Sequence, residues 1–354
     1  MRTILITGSS GYLGSFLVPY LKKKNYDVLE FDIGFFKNCH LYKDRNEKTI
    51  YKDVRNITKL DLKNIDVIVH LAGIANDPLN NYSSKSVYDP TKKYTLELAQ
   101  KAKKLGIKFI FASSCSVYGA TNNKLLLSES SDTNPQTGYS LNKLQIEQHL
   151  EKIAGKNFFP ICLRFATIFG VSKRIRFDIV INMLVGMAIT TKKIILNSNG
   201  DAWRPHLYIK DACSAIEAAI KYKKNKNDDK ILILNIGRDD NNLKVIDIAK
   251  KIRKAVKGSQ IVFLQKNKIS TNSNLIVDRK IKSGKDTRTY KVSFYKMRKK
   301  FVNYNCIYTF QRGITEMIKE LKELKLNKKI FYNKKFYRLQ YLEYLHKKNQ
   351  QIIS

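Results

Sequence analysis

Short apolar runs alternate with helical stretches through the first half of the chain, and this alternation constrains the fold more than any other feature. The apolar runs, rich in β-branched and aromatic residues, lie at 3–6, 27–33, 65–71, 107–113 and 159–165. The helical stretches lie at 12–24, 91–105 and 139–154. Such a rhythm predicts βαβ units, and therefore an α/β fold with a Rossmann-type doubly wound parallel sheet. Ligands of these sheets bind at the carboxyl ends of the strands.

The rhythm changes near residue 171, where a smaller C-terminal α/β substrate-binding region is expected to begin. Further helices are predicted at 177–190, 211–222 and 243–257, and a further strand at 231–236. We expect residues 1–172, with 203–236 returning to them, to form the Rossmann domain, and residues 173–202 and 237–318 to form the second region. Residues 319–354 contain ten basic and three acidic residues, and their pattern predicts a basic helical tail.

The formal net charge of +36 is the most unusual global property of the chain. A charge of this size can indicate nucleic acid or an anionic surface as the partner. The lysines are spread along the whole chain, however, so a solvated lysine-coated surface explains the charge. We therefore do not expect nucleic acid as a partner. Hydrophobic residues make up 43% of the chain, which is typical of a globular protein.

Neither a membrane span nor a secretory signal is expected. The most apolar stretch, residues 177–190, is shorter than the roughly 18 residues of a span and is interrupted by Asp178 and Asn182. The N-terminal residues run directly into a strand, without the apolar core of a signal. Five scattered cysteines show neither metal-ligand spacing nor a disulfide framework. We therefore expect no metal and a cytoplasmic location.

A glycine-rich turn follows the first predicted strand and opens the first helix. Gly8, Gly11 and Gly14 permit a tight turn, a close approach of the backbone to a pyrophosphate, and close packing of helix on strand. The helix N-terminus presents N–H groups to the phosphates. Asp32 ends the next predicted strand, where a carboxylate binds a ribose 2′-hydroxyl and repels a 2′-phosphate. The turn therefore predicts NAD in preference to NADP, with an ordinary strand–helix turn as the alternative.

A second constellation combines Tyr139 and Lys143 with a serine-rich turn. The two residues lie four positions apart at the start of a predicted helix, which puts the phenol and the ammonium on one face. A nearby cation favours the phenolate form of a tyrosine. Ser114 follows the fourth predicted strand, 25 residues before Tyr139. A tyrosine–lysine pair can arise by chance and a serine can merely cap a turn, but the combination favours a reacting site.

Together these motifs resemble the extended short-chain dehydrogenase/reductases of the NAD-dependent epimerase/dehydratase family, which act on sugar nucleotides. The glycine spacing, the serine-rich string at 113–119 and the tyrosine–lysine pair carry the resemblance. It implies that Asp53 and Val54 contact the adenine and that the segment 70–73 lies along the cofactor. The implied cofactor contacts are Gly8, Gly11, Tyr12, Leu13, Gly14, Asp32, Asp53, Val54, Leu71, Ala72, Gly73, Tyr139 and Lys143.

The resemblance also implies chemical roles. Tyr139 would be the general base that takes the proton of a sugar hydroxyl as hydride passes to the nicotinamide. Lys143 would bind the nicotinamide ribose, and Ser114 would hydrogen-bond the developing carbonyl oxygen. Related dehydratases and decarboxylases carry acidic residues after the catalytic serine or threonine, whereas this chain has Cys115 and Ser116.

We therefore expect an epimerase that acts through a transient keto-sugar and keeps its NAD bound. A nucleotide-sugar reductase or dehydrogenase is the first alternative. A non-catalytic, nucleic-acid-binding relative is the second. The epimerase differs from the reductase or dehydrogenase in whether the reaction consumes the cofactor, and the sequence does not show this.

The second half of the chain carries most of the substrate residues that the resemblance implies. Arg204 would grip the nucleotide diphosphate, because a guanidinium suits bidentate binding; a surface salt bridge is the alternative. Thr167 and Thr91 depart from the family pattern, which has asparagine at both positions. The implied substrate contacts are Asn76, Ser116, Thr167, Asn182, Arg204 and Arg288.

Members of this family often form homodimers through two helices, which correspond here to 91–105 and 139–154. We expect the same of this chain. The apolar side chains expected in the interface are Leu144, Ile146, Leu150 and Ile153.

Overall fold

The parallel sheet predicted for the first half forms the centre of the protein in the computed structural model, which describes residues 2–42, 48–75, 84–120, 126–264 and 289–348. The strands are β1 (Thr3–Thr7), β2 (Asp27–Asp32), β3 (Ile50–Tyr51), β4 (Val67–His70), β5 (Lys108–Ser114), β6 (Leu126–Leu127), β7 (Ile161–Phe165), β8 (Thr167–Phe169), β9 (Lys193–Leu196), β10 (Trp203–Tyr208), β11 (Leu232–Ile236), β12 (Asn242–Lys244), β13 (Gln260–Phe263) and β14 (Lys291–Val292). The helices are α1 (Gly14–Lys23), α2 (Ser84–Leu105), α3 (Gly138–Ile153), α4 (Val180–Thr191), α5 (Ile209–Lys221), α6 (Val245–Ala255), α7 (Tyr295–Lys300), α8 (Phe310–Glu323), α9 (Lys328–Phe331) and α10 (Arg338–Lys348).

Seven parallel strands form the main sheet, in the order β11-β7-β5-β4-β1-β2-β3. This confirms the predicted Rossmann-type fold. The chain order reverses beside β1, which has β4 on one side and β2 on the other. At such a switch point the connections leave toward opposite faces, and a crevice opens at the carboxyl ends of the strands.

Alternate side chains of β1 face two different hydrophobic cores. Ile4 and Ile6 pack in the core that contains Leu17 of α1 and the apolar face of α5. Leu5 packs in the core that contains Leu98 of α2 and the apolar face of α3. Because helices cover both faces of the sheet, its central strands are apolar on both sides. This is why they read as continuous apolar runs in the sequence.

The apolar face of α3 is covered by the sheet. Ile146 and Leu150 are fully buried in the core beneath α2 and α3, so their predicted place in a dimer interface is wrong. Leu144 and Ile153 are partly buried, and Leu141 of the same helix is 43% exposed. An amphipathic pattern shows that one face is covered, but it does not show whether a sheet or a partner covers it.

Two helices contain a proline. α2 begins at Ser84 and continues through Pro90, although the pattern predicted a start at residue 91. Asn142 of α3 donates a hydrogen bond to the Tyr88 carbonyl oxygen (2.7 Å), which supports the α2 backbone beside that proline. Pro19 of α1 is exposed, so its ring lies on the solvent side of the helix.

The second half of the chain builds smaller sheets around a separate core. β8, β10 and β12 form a three-stranded sheet, and β9 pairs with β13. Helices α4, α6 and α8 enclose the core beside them. β11 returns to the main sheet next to β7, whereas β10 pairs with β8 outside it. The two regions are thus interleaved along the chain, and the domain boundaries stay a prediction.

The basic tail folds back onto the body of the protein. The ring centroid of Phe331 lies 4.9 Å from that of Phe177, just before α4. A Cβ on Gly186 of α4 would overlap the Phe331 ring, so only glycine permits this contact. The Phe177 amide donates to the Phe336 carbonyl oxygen (3.0 Å). These contacts hold the start of α10, at Arg338, against the loop that precedes α4.

All five cysteines lie within the described residues, and each is a buried free thiol. Burial raises the pKa of the Cys115 thiol, which therefore stays protonated beside Ser114. Among the helices described by the structure, none has the length and apolar character needed to cross a membrane.

Candidate active site

A cavity of about 430 Å³ opens at the carboxyl ends of the central strands. Both halves of the chain contribute to its wall. The sequence-predicted residues on this wall are Gly8, Gly11, Tyr12, Leu13, Gly14, Leu71, Gly73, Ser114, Ser116, Tyr139, Lys143, Thr167 and Arg204. Because motifs far apart in the sequence meet here, this cavity is the candidate active site.

The glycine turn packs tightly against the loop that follows β4. Gly8 has a φ of +76°, and a Cβ there would lie 2.7 Å from the Ala72 backbone nitrogen. A Cβ on Gly14 would overlap the Gly8 carbonyl oxygen. The turn therefore presents bare backbone to the cavity beside the N-terminus of α1. Such a surface fits the pyrophosphate of a dinucleotide such as NAD.

Asp32 ends β2 and lies behind the glycine turn. Its carboxylate accepts hydrogen bonds from the Ser10 amide (3.0 Å) and from the Gly34 amide (2.7 Å). The carboxylate therefore orders the loops on both sides of β2. Its contact with a cofactor ribose stays a prediction.

Like Asp32, three other predicted cofactor residues are not among the residues that line the cavity. The Asp53 carboxylate pairs with Arg55 (2.6 Å) at the start of a short 3-10 helix. Val54 is buried in the core next to this turn. Ala72 contributes its backbone to the close contact with Gly8. Their contacts with the cofactor stay predictions.

Ser114, Tyr139 and Lys143 come together on one wall of the cavity. Ser114 ends β5, and its Oγ accepts a hydrogen bond from the Ser116 amide (3.1 Å). Tyr139 and Lys143 lie in the first turns of α3, which Thr137 caps by accepting a hydrogen bond from a backbone amide. A strand end and a helix start thus place a hydroxyl, a phenol and an ammonium at one surface.

The Lys143 ammonium is buried but well contacted. It donates to the Ala112 carbonyl oxygen (2.6 Å) and lies 4.5 Å from the centre of the Phe111 ring. The centre of the Tyr139 ring is 5.7 Å away. Burial lowers the pKa of Lys143 to about 8, because desolvation disfavours the charged form. The group therefore remains mostly a cation near neutral pH.

A buried ion pair that the sequence analysis missed supports this wall. Glu147 lies on α3 one turn after Lys143 and pairs with Arg164 of β7 (2.7 Å). It also accepts a hydrogen bond from the Ser113 hydroxyl (2.5 Å). The Arg164 guanidinium donates to the Tyr118 hydroxyl (3.0 Å). The position of Glu147, four residues after Lys143 on the same helical face, was the available signal.

His70, at the end of β4, is held in its neutral form. Its Nδ1 lies 2.7 Å from the Thr7 hydroxyl and its Nε2 lies 2.9 Å from the Thr95 hydroxyl. Because Thr95 donates to the Thr91 carbonyl oxygen (2.7 Å), it accepts the hydrogen bond from the ring. Burial lowers the pKa of His70 to about 3. This chain of hydrogen bonds ties β1 and β4 to α2 and includes the Thr91 backbone.

The predicted substrate residues fall into three groups. Ser116, Thr167 and Arg204 line the cavity. The Ser116 hydroxyl is buried and has no hydrogen-bond partner among the described atoms, so a ligand could use it. Asn76 and Arg288 lie outside the described residues.

Asn182, the last of the six predicted substrate residues, is fully buried behind the cavity wall. Its side-chain nitrogen donates to the Arg176 carbonyl oxygen (3.0 Å) and to the Tyr12 hydroxyl (3.2 Å). Its side-chain oxygen accepts from the Gly170 amide (3.0 Å). The structure therefore does not bring Asn182 to the cavity; the residue orders the loop before α4 instead.

Arg176, Asp178 and Arg338 form a charged part of the wall that the sequence analysis also missed. Arg176 pairs with Asp178 (2.8 Å), and the Arg338 amide donates to the same carboxylate (3.3 Å). Both guanidinium groups donate to the Ala75 carbonyl oxygen, over 3.0 Å and 2.8 Å. Charged residues within otherwise apolar stretches of the sequence were the available signal.

Comparisons with known proteins identify the family of the chain. The model of the NAD dependent epimerase/dehydratase family matches residues 4–237. A putative UDP-glucose 4-epimerase of Methanocaldococcus jannaschii is 25% identical in an alignment of 257 residues, and the match covers 70% of this chain and 81% of the relative.

Two solved structures share the fold. The NAD-dependent NDP-hexosamine 5,6-dehydratase TunA, involved in tunicamycin biosynthesis, gives a TM-score of 0.74 at 18% identity, over 91% of this chain and 98% of TunA. The UDP-glucose 4-epimerase of Thermotoga maritima gives a TM-score of 0.73 at 19% identity, over 91% and 99% of the two chains. Since the family match spans more than half of its residues, the chain belongs to the NAD-dependent epimerase/dehydratase family.

Proposed function

We propose that the chain is an NAD-dependent nucleotide-sugar epimerase that acts through a transient keto-sugar. The convergence of Ser114, Tyr139 and Lys143 on one wall of the cavity, together with the glycine turn, carries this proposal. Relatives described as UDP-glucose 4-epimerases support the same class of reaction. NAD, when bound at the turn, would take a hydride from the sugar carbon and return it.

Three side chains would manage the proton and the oxygen of the sugar. Tyr139 takes the hydroxyl proton, and the adjacent Lys143 ammonium stabilises the phenolate that does so. Ser114 donates a hydrogen bond to the oxygen as it becomes a carbonyl. Inversion at this carbon requires that the keto-sugar present its other face. Tyr139 then returns the proton to the oxygen.

The groups beside Ser114 favour epimerisation over elimination of water. Cys115 is a buried thiol that donates to the Arg164 carbonyl oxygen (3.1 Å), and Ser116 offers only a hydroxyl. Among the described lining residues the carboxylate is Asp178, which Arg176 holds in an ion pair. Elimination needs an available acid and base next to the sugar.

The first test is the identity and amount of the nucleotide that the purified chain retains. Denaturation should release NAD in a stoichiometric amount, and the native protein should interconvert epimers of a nucleotide sugar without added cofactor. Turnover that requires added NADH and consumes it would instead identify a reductase. This outcome would overturn the proposal and favour the alternative.

We also propose a homodimer formed through α2 and α3, which pack side by side. Leu141 is 43% exposed on this pair and would lie in the interface. Light scattering should give the mass of two chains, and Leu141→Asp should give one. Val302→Asp, at a turn position that is 80% exposed just after α7, is the matched control. A monomeric wild type would refute the dimer. A cytoplasmic location stays a prediction.

A further inference from the structure

We infer that Arg338, supplied by the tail, binds an anionic group on the sugar, and that the substrate is therefore a nucleotide sugar whose hexose carries a carboxylate. This inference rests on the proposed function and deepens it. It names a specificity-determining residue and the chemical class of sugar that the residue selects.

Arg338 is a buried cation at the cavity wall, and its guanidinium group is not paired with a carboxylate of the described residues. Its exposed fraction is 8%, and its side chain lines the cavity. Nη1 donates to the Ala75 carbonyl oxygen (2.8 Å), and Nε has no hydrogen-bond partner among the described atoms. No described carboxylate forms an ion pair with its guanidinium group. A buried charge without a counter-charge raises the free energy of the protein, so binding of a ligand anion beside Arg338 would be strongly favoured.

The surroundings of Arg338 add positive charge. The guanidinium groups of Arg174 and Arg338 both lie over the Phe36 ring, 4.5 Å and 5.4 Å from its centre. Arg176 lies next to them. Among the described residues, Asp178 is the carboxylate near these three arginines; it forms an ion pair with Arg176 and accepts a hydrogen bond from the Arg338 amide. Burial, and then the charges of Arg176 and Arg174, lower the pKa of Arg338 to about 9. Bringing a carboxylate to this group would relieve the repulsion between like charges.

This cationic group lies at the reacting end of the cavity. Arg176, Arg338, Tyr139 and Lys143 all lie on the cavity wall, and Tyr139 and Leu339, the residue after Arg338, both pack against Tyr88 of α2. An anion bound by Arg338 would therefore belong to the sugar that reacts at Tyr139.

The predicted diphosphate ligand, Arg204, comes from a different part of the fold. Arg204 belongs to β10. Its guanidinium group donates to the Trp203 carbonyl oxygen (2.7 Å) and lies 5.4 Å from the centre of the Tyr290 ring. The cavity thus offers one cation for the diphosphate and a separate one for the sugar. A guanidinium fork matches the two oxygens of a carboxylate.

The tail brings Arg338 from outside the part of the chain that matches the family, residues 4–237. Its position is nevertheless well fixed. The Arg338 amide donates to Asp178, and the Phe336 carbonyl oxygen accepts from the Phe177 amide. A residue held in this way can set specificity, because its side chain is oriented before the ligand arrives.

The test compares two sugars that differ only at carbon 6. The full-length, NAD-loaded chain is screened by calorimetry with the glucose and glucuronate forms of UDP, dTDP, GDP, CDP and ADP. For the nucleotide that binds, the glucuronate form should bind at least about tenfold more tightly than the glucose form, the effect of one charge-assisted contact. Arg338→Met should remove this preference by weakening the glucuronate form far more than the glucose form.

Two further variants separate binding from folding. Arg338→Lys keeps the charge and should restore part of the preference. Lys335→Met removes a charge from an exposed position of the same tail and should leave the preference intact. Thermal melting of each variant reports whether the tail remains docked.

Equal binding of the two sugars by the wild type would overturn this inference and leave the proposed function standing. An Arg338→Met variant that melts like the wild type but keeps the preference would do the same. Failure of every nucleotide sugar to bind, or absence of NAD from the purified chain, would overturn the proposed function and this inference together.

Discussion

Glu147 and Arg164 form an ion pair inside the protein, with an N–O distance of 2.7 Å and side-chain exposures of 2% and 5%. The pair joins α3, which carries Tyr139 and Lys143, to β7 of the main sheet. Burial by itself would lower the pKa of Arg164, but the adjoining carboxylate outweighs it and raises that pKa above its ordinary value. The position of Tyr139 and Lys143 therefore depends on an interaction outside the cavity.

Glu147→Gln should destabilise the protein, because it leaves the Arg164 charge buried without a counter-charge. We expect the free energy of unfolding to fall by about 3 kcal/mol. Urea denaturation measures it. Glu151→Gln, at an exposed position of the same helix, should change it by less than about 0.5 kcal/mol. Equal losses in the two variants would contradict the structural role of the ion pair.

Tyr139→Phe should remove the proton-transfer group and leave the cavity in place. Turnover should fall at least about a hundredfold, while the NAD content of the purified protein stays the same. Steady-state kinetics and mass analysis of released nucleotide measure the two effects. Tyr295→Phe, at a site 53% exposed, is the matched control. Turnover near the wild-type rate in Tyr139→Phe would exclude the proposed mechanism.

Activity should decline as the pH rises through about 8, where Lys143 loses its proton. The phenolate of Tyr139 then loses its cationic neighbour. His70, with a pKa of about 3, does not titrate in this range, whereas Arg338, with a pKa of about 9, does, and its loss of charge adds to the decline above pH 9. A profile of kcat/KM against pH measures the effect, and a flat profile up to about pH 10 would show that the Lys143 charge is not needed.

The lowered pKa of Lys143 also affects stability: its contribution to stability rises with pH, whereas activity falls with pH. The folded-state pKa of Lys143 lies below the ordinary value of 10.5. Between these two values the unfolded chain binds more protons than the folded one, so the contribution of this group to stability rises with pH across that window. Urea denaturation should show the free energy of unfolding of the wild type rising relative to that of Lys143→Met from the lower to the upper end of this window.

Gly8→Ala should destabilise the protein more than an equivalent change at Gly106. Both glycines have a positive φ, but a Cβ on Gly106 would meet nothing within 4 Å, whereas one on Gly8 would lie 2.7 Å from the Ala72 backbone. Gly106→Ala should cost about 1–2 kcal/mol for its conformation alone. Urea denaturation should show a larger loss for Gly8→Ala, together with loss of NAD. Equal losses would show that the close packing is not required.

Much of the Rossmann half could be predicted from the sequence. The runs at 3–6 and 107–113 became β1 and β5, because a strand buried on both faces leaves a local, continuous apolar signal. The position of Ser114 at a strand end and the shared helical face of Tyr139 and Lys143 also follow from local spacing.

The misplaced residues are those whose environment depends on distant parts of the chain. Ile146 and Leu150 have the pattern of an amphipathic helix, and only the assembled sheet shows what covers them. Asn182 was expected to contact the substrate, but its amide is engaged by groups such as the Tyr12 hydroxyl, 170 residues away in the chain. The Glu147–Arg164 pair links two segments whose proximity no local pattern reveals.

The sequence by itself determined the fold class, the glycine turn and the side chains that we propose to react, because these are encoded by short-range periodicity and spacing. Only the tertiary structure decided which charges share the cavity. Arg338 and Ala75 are in hydrogen-bond contact although 263 residues separate them. That contact exists because Phe331 and Phe336 dock the tail beside Phe177. Packing of this kind depends on shape and burial over the whole chain.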